Sequence, residues 1–388
     1  MTRDTKIFTI AWLALLLTTL PPGGISAWTW LTGLRWLYVA GIAFLFAGLL
    51  LPAAEWSARR LGAIDMPAPR KIHAAPTPRL GGLAVFAAFM FALWRSQYFT
   101  GRGWSIAAAG TLVFLLSAAD DARGLSAYAR LAGQAAASLI VVCSGMGFNF
   151  PGTTPAGRAV SCAFTVVWII GITNAFNFLD GIDGLASGLG MVCSLFFIIV
   201  AWGTNQMELA FMSAALFGAC AGFMRVNWHP ASMFLGDCGS AFIGFMLACF
   251  AVYGGWATDN PLVAFGTPLL ILGVPIFDLI YITAARMRRG DVKTVRQWLE
   301  FVGRDHFHHR LIHLGMTVPQ AASFIIIVNV MLGLGAWTMH YTGTSLGTVL
   351  LVAQSALIFG VIAVLMILGR NTGETAAHPK GIAAGDCH

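Results

Sequence analysis

Charge is what this sequence has least of. Asp, Glu, Lys and Arg make up 10% of its 388 residues, where soluble domains carry about 25%. With hydrophobic residues at 58%, that shortage excludes an ordinary soluble protein. The seven cysteines are scattered singly, with no Cys-x-x-Cys pair. Neither a disulfide framework nor a zinc site is therefore indicated, and most of them read as small residues within apolar runs. No His-Glu-x-x-His run is present, which removes the helical zinc-hydrolase pattern. There is no internal repeat with matching motifs and no soluble domain. The net charge of +7 is not a nucleic-acid signal. Of 23 Lys and Arg, five fall in residues 55–82 and seven in residues 285–318, and basic residues gathered in short loops mark the cytoplasmic side of a membrane.

What the chain has instead is apolar runs, repeated and long. They predict an all-α fold, a polytopic integral membrane bundle embedded in a lipid bilayer, because a backbone in lipid must satisfy its own hydrogen bonds. Spans are expected near 34–54, 83–99, 105–119, 129–147, 159–173, 185–203, 208–225, 241–253, 262–284, 319–340 and 345–369, about 11 in all. Residues 7–20 add a twelfth if they are retained; Pro21-Pro22-Gly23-Gly24 and Ser26-Ala27 beyond them also suit a cleaved signal, and the retained span is favoured. The expected plan is an extra N-terminal segment over 1–33, a transmembrane domain over 34–369 and a disordered polar tail over 370–388. Counting hairpins from the basic first loop places every polar cluster on the cytoplasmic face, as one composite site.

The densest cluster is Asn174-Ala-Phe-Asn177-Phe-Leu-Asp180-Gly-Ile-Asp183-Gly184. Steps of three on a helix keep Asn174, Asn177, Asp180 and Asp183 near one face. A cap needs one polar side chain and this stretch has four, so ionisable groups at that depth point to function. The loop after the 34–54 span carries Arg70, Lys71, His73 and Arg79 among four prolines, ahead of Gly81-Gly82. Prolines exclude a regular helix there, and basic groups on a stiff loop suit a diphosphate or lipid phosphate. Asp120 and Asp121 are adjacent, so their side chains diverge by about 100° on a helix and take different roles. Their mutual repulsion is within reach of Arg123 and Arg130. Asp237, in Gly-Asp-Cys-Gly, has glycines that permit close backbone approach. A carboxylate set of this kind fits Mg2+, or Mn2+, better than zinc. His306, His308, His309 and Arg310 lack helical metal-pair spacing and suit phosphate oxygens. Metal-binding carboxylates, phosphate donors and a lipid setting together indicate phosphoryl transfer involving a lipid.

These motifs together resemble the polyprenyl-phosphate N-acetylhexosamine-1-phosphate transferases over residues 34–340. The resemblance is carried by Asp65-x-Pro67 with Arg70-Lys71-x-His73, Pro76-Thr77-Pro78-Arg79-x-Gly81-Gly82, Asp120-Asp121, Asn174 to Gly184, Phe234-x-Gly236-Asp237-x-Gly239-Ser240 and His306-x-His308-His309-Arg310. It implies transfer of a sugar 1-phosphate from a UDP-N-acetylhexosamine to undecaprenyl phosphate, releasing UMP, in the bacterial cytoplasmic (inner) membrane. By the same resemblance Asp120 and Asp121 are the essential acidic pair, one of them deprotonating the acceptor. Asp237, with Asp121, would ligate the metal, Phe234 stack on uracil, Asp183 read the uracil edge, and the histidines meet the diphosphate. The His motif is similar to the branch using UDP-N-acetylglucosamine. Tyr128 and Ser232 stand where relatives often carry basic residues, and Asp291–Gly303 reads as an insertion. A homodimer is expected by analogy only. Two other readings are a UDP-MurNAc-pentapeptide phosphotransferase and a lipid or solute transporter on the same scaffold. A transporter should place charge near the midplane of both halves, and here it gathers at one face.

Overall fold

The computed structural model describes residues 12, 29–66, 76–96, 98, 100–148, 154–257, 260–294, 297, 303, 305–342 and 345–377. The expected first span at 7–20 and the basic residues Arg70, Lys71 and His73 lie outside the described residues. Among the described residues these helices follow one another: α1 (Arg35–Leu61), α2 (Gly81–Ser96), α3 (Gly101–Arg123), α4 (Ala127–Cys143), α5 (Pro155–Leu179), α6 (Leu185–Gly203), α7 (Met207–Asn227), α8 (Gly236–Tyr253), α9 (Pro261–Ile271), α10 (Gly273–Arg289), α11 (Phe307–His313), α12 (Val318–Thr342) and α13 (Ser345–Ala377). Two residue pairs, β1 (Ile64–Asp65) and β2 (Thr77–Pro78), form a short antiparallel bridge with Ile64 opposite Pro78. The tail expected from 370 begins inside α13, which runs to Ala377.

A polytopic helical membrane protein is what the described residues show. Eight helices are long and apolar enough to cross a membrane, or nine if α9 and α10 are one span bent by 83°. The helices α2 and α4, of 16 and 17 residues, are apolar but shorter. At the centre stands α8, whose residues from Cys238 to Val252 are all buried. Its sequence is apolar on every side, the pattern of a helix enclosed by other helices. Phe242 shows how: its ring meets those of Phe86, Phe89 and Phe114 from α2 and α3. At the other extreme α13 leaves Leu350, Leu357, Val361 and Val364 exposed, a face suited to lipid.

The segment expected as one span over 262–284 is divided at Leu272 into two helices set at 83°. Pro275 has no N–H to give the Ile271 carbonyl four residues before it, and packing settles the freed backbone. The Ile271 carbonyl accepts from Asn329 Nδ2 of α12 at 3.2 Å and from Cys193 Sγ of α6 at 3.2 Å. A backbone carbonyl released in a dry interior needs such donors.

Candidate active site

The ends of α3, α5 and α10 and the starts of α4, α6 and α8 meet on one face of the bundle. There the 76–82 segment docks on the segment before α8. Phe234 donates its amide to the Pro78 carbonyl at 2.8 Å, and its carbonyl accepts from Gly81 at 3.0 Å; Leu235 accepts from Gly82 at 2.8 Å. Gly236 sits at φ +75°, where a Cβ would lie 2.3 Å from the Arg79 carbonyl oxygen. The Gly236→Ala variant is expected to lose about 1–2 kcal/mol from the backbone conformation alone, with the clash added. A thermal unfolding midpoint in detergent equal to that of the unaltered protein would contradict this. The Arg79 side chain is half-exposed, 4.0 Å from Asp65.

Asp120 and Asp121 diverge as adjacent helical residues must. Asp120 accepts from the Leu125 amide through Oδ1 and from Arg130 Nη1 at 3.1 Å through Oδ2. Asp121 turns the other way, onto the start of α8. Its Oδ2 accepts from the Cys238 amide at 2.9 Å and its Oδ1 from the Asp237 amide at 3.3 Å. A carboxylate at a helix N-terminus satisfies amides that have no partner within the helix. Asp237 is half-exposed; its Oδ1 accepts from Asn177 Nδ2 at 3.1 Å, and Arg130 stands 3.9 Å from its Oδ2. Asn177 also reaches Ser240 Oγ at 3.0 Å.

The stripe of four polar residues holds only for its first half. Helix α5 stops at Leu179, with Asp180 as its C-cap, and Asp180 and Asp183 occupy the turn before α6. Gly184, at φ +74°, then starts α6. Asn174 leaves the group, donating to Gln134 of α4 at 2.7 Å. Asp183 anchors the segment before α8: its Oδ2 is 2.7 Å from His229 Nδ1 and accepts from the Ala231 amide at 3.0 Å. Among the described residues no donor reaches the Asp180 carboxylate. Burial, then the charges of Asp237, Asp121 and Asp183, push it well above the usual carboxylate range. That repulsion is the kind a bound cation relieves. Among the described residues no three of His, Cys, Asp and Glu form a ready cage. An all-oxygen set open to phosphate and water still fits magnesium, which rarely takes a complete protein cage.

The histidine segment closes the site from the side of α10. His308 is 1% exposed, and neither ring nitrogen has a partner among the described residues. A Cβ on Gly181 would lie 2.3 Å from its Nε2, so glycine is what admits the ring beside Asp180. Burial, then His309 and His306, hold the imidazole well below the ordinary histidine range. The His309 ring lies 4.2 Å from that of His308, tilted by 47°, and Arg310 is buried where α11 meets α13. Two anchors tie this segment to α10. His306 Nδ1 lies 2.7 Å from Asp278 Oδ2, and the Phe307 amide donates to Asp278 Oδ1 at 2.8 Å. Arg286 makes a two-pronged pair with Asp305, joined by Arg289 at 2.9 Å. Asp278 falls within the apolar segment 262–284 and outside the motifs named above. An ionisable residue within such a span was itself the signal. Gln134 and His229 gave no comparable signal.

Comparison with known proteins finds one family model and several similar chains. The family model described as glycosyl transferase family 4 matches residues 103–255, which carry both ends of the carboxylate cluster from Asp120 to Asp237. The chain is similar to a probable undecaprenyl-phosphate N-acetylglucosaminyl 1-phosphate transferase of Bacillus subtilis (strain 168), 30% identical over 307 residues, covering 77% of this chain and 84% of that protein. It is 32% identical over 293 residues to a decaprenyl-phosphate N-acetylglucosaminephosphotransferase of Mycobacterium tuberculosis (strain H37Rv), covering 66% and 71%. It is 29% identical over 300 residues to the undecaprenyl-phosphate alpha-N-acetylglucosaminyl 1-phosphate transferase of Escherichia coli (strain K12), covering 74% and 80%.

Proposed function

We propose a reaction on one established premise: this chain belongs to glycosyl transferase family 4. It transfers N-acetylglucosamine 1-phosphate from UDP-N-acetylglucosamine to undecaprenyl phosphate, releasing UMP and beginning a cell-envelope glycan. An oxygen of the lipid phosphate attacks the sugar-bearing phosphorus. A new P–O bond forms as the bond from that phosphorus to the bridging oxygen breaks, and UMP leaves with the electron pair. Because such transfer needs little covalent chemistry from the protein, positioning and charge stabilisation carry it.

Asp237 and Asp121 would hold magnesium or manganese, with Asp180 beside them. The cation, when bound, would neutralise charge on the diphosphate. One of Asp120 and Asp121 takes the proton of the acceptor phosphate. Asp120 is held for its part by Arg130 and the Leu125 amide. Phe234 stacks on uracil, and Asp183, fixed by the Ala231 amide, reads the uracil edge. Asn177 orients the Asp237 carboxylate from α5. His308 and His309 would meet the diphosphate, together with the basic residues Arg70, Lys71, His73 and Arg79 of the first loop. The observation that carries the reading is Asp180: a half-buried carboxylate that no donor reaches among the described residues, crowded by three others and bordered by the His308 ring, which has no partner among them either.

Counting the bent pair once and both shorter apolar helices beside the eight long ones gives eleven spans. Arg59 and Arg60 end α1 and Arg286, Arg288 and Arg289 end α10. These ends lie on the side of the site, which supports a cytoplasmic active face in a bacterial inner membrane. Purified protein with UDP-N-acetylglucosamine and undecaprenyl phosphate is expected to release UMP, and a chelator to stop it. UDP-MurNAc-pentapeptide in a parallel reaction is expected to give none. Folded protein that releases no UMP from any UDP-sugar would overturn the proposal.

A further inference from the structure

The mechanism above leaves the buried carboxylate of Asp278 unused. Asp278 is 2% exposed on α10, and both of its oxygens point at the histidine segment. Oδ2 holds His306 Nδ1 at 2.7 Å, and Oδ1 accepts from the Phe307 amide at 2.8 Å. The imidazole it holds lies between Phe178 of α5, 5.4 Å away, and His308, 6.0 Å away and nearly parallel. That places the ring beside the turn that carries Asp180. An ionised carboxylate accepts only, so its partner nitrogen must carry the proton. A carboxylate on one ring nitrogen fixes both the tautomer and the rotation of the other.

Resting on the transferase reading, we infer that Asp278 is a positioning residue for the reaction, holding His306 with Nδ1 protonated and Nε2 as an acceptor offered to a hydroxyl or amide N–H of the substrate. The Phe307 amide bond makes the hold rigid, because a carboxylate tied at both oxygens cannot turn without releasing the start of α11. The neighbouring Arg286–Asp305 pair fastens the same segment to the same helix, so the imidazole is fixed from α10 at two points.

Asparagine at this position separates orientation from folding. In Asp278→Asn, the amide oxygen keeps the Phe307 bond while its NH2 donates to Nδ1, so the ring becomes the Nε2–H tautomer with its packing intact. Nitrogen NMR of histidine-labelled protein, with the His306 signal assigned by its loss in His306→Gln, is expected to show Nδ1–H in the unaltered chain and Nε2–H in Asp278→Asn. In UMP release, Asp278→Asn is expected to lower kcat about a hundredfold and to move KM for UDP-N-acetylglucosamine by less than roughly threefold. Added to His306→Gln, it is expected to cost nothing more. An unchanged tautomer, or the same loss in the His306→Gln background, would overturn the inference. Correct tautomers in a protein that releases no UMP would instead sink the transferase reading and leave the positioning contact standing.

Discussion

Asp237→Asn is expected to reduce UMP release by at least about a thousandfold, equivalent to about 4 kcal/mol of transition-state stabilisation. The side chain is half-exposed and its recorded partners are the Asn177 amide and the more distant Arg130. Asparagine keeps an oxygen in place to accept from Asn177, so the helix start at Gly236 has no reason to move. What it removes is charge at the point where the diphosphate and its metal would sit. Loss of one anionic ligand from a magnesium site that has few protein ligands weakens both metal retention and charge neutralisation. Thermal unfolding in detergent is expected to stay within a few degrees of the unaltered protein, since exposed positions usually change stability by less than about 0.5 kcal/mol. UMP release above a tenth of the original rate would remove Asp237 from the metal site.

The second large effect is on stability. Asp305→Ala is expected to cost about 3–5 kcal/mol, because it removes the two-pronged carboxylate partner of a buried cation. The Arg286 side chain is 3% exposed and both of its prongs go to Asp305. Arg289 is partly exposed and also holds Asp291, so it can turn to water. The same cluster sets an acid limit. Burial alone would raise the Asp305 carboxyl, yet hydrogen bonds and charge from Arg286, then Arg289, hold it down at about 2. A carboxyl lowered by folding contributes stability that is fully present above its ordinary value, near 3.8. That contribution is lost as pH falls from there through about 2, since the unfolded chain then binds the proton first. Unfolding midpoints measured across this window should fall in the unaltered protein and change less in Asp305→Ala. Parallel curves would show that the pair does not govern acid stability.

Much of this architecture was legible because lipid restricts what a backbone can do. Apolar runs had to be helices, and their polar ends had to share a face once the hairpins were counted. The departures come from contacts distant in sequence. The span at 262–284 breaks because Asn329 and Cys193 receive the Ile271 carbonyl, and neither residue is near it in the chain. Asp180 and Asp183 leave the helical stripe because Asp183 is drawn to His229 and the Ala231 amide. Asn174 was grouped with them by spacing, but a helix turns by about 100° per residue and its amide meets Gln134 instead. The role of Asp278 needed the fold, since the residue it holds lies on the far side of a loop.

Asp121 has an evolutionary consequence. Side chains kept for chemistry commonly burden the fold, so mutation for stability tends to erode activity. Here the carboxylate also closes the open amides at the head of the central helix. Selection for a folded protein and selection for a working one therefore act on this position in the same direction. A descendant that had abandoned the reaction would still have reason to keep it, so an aspartate here is weak testimony that a distant homologue is active. The half-exposed Asp237, which bears less of the scaffold, is the better witness.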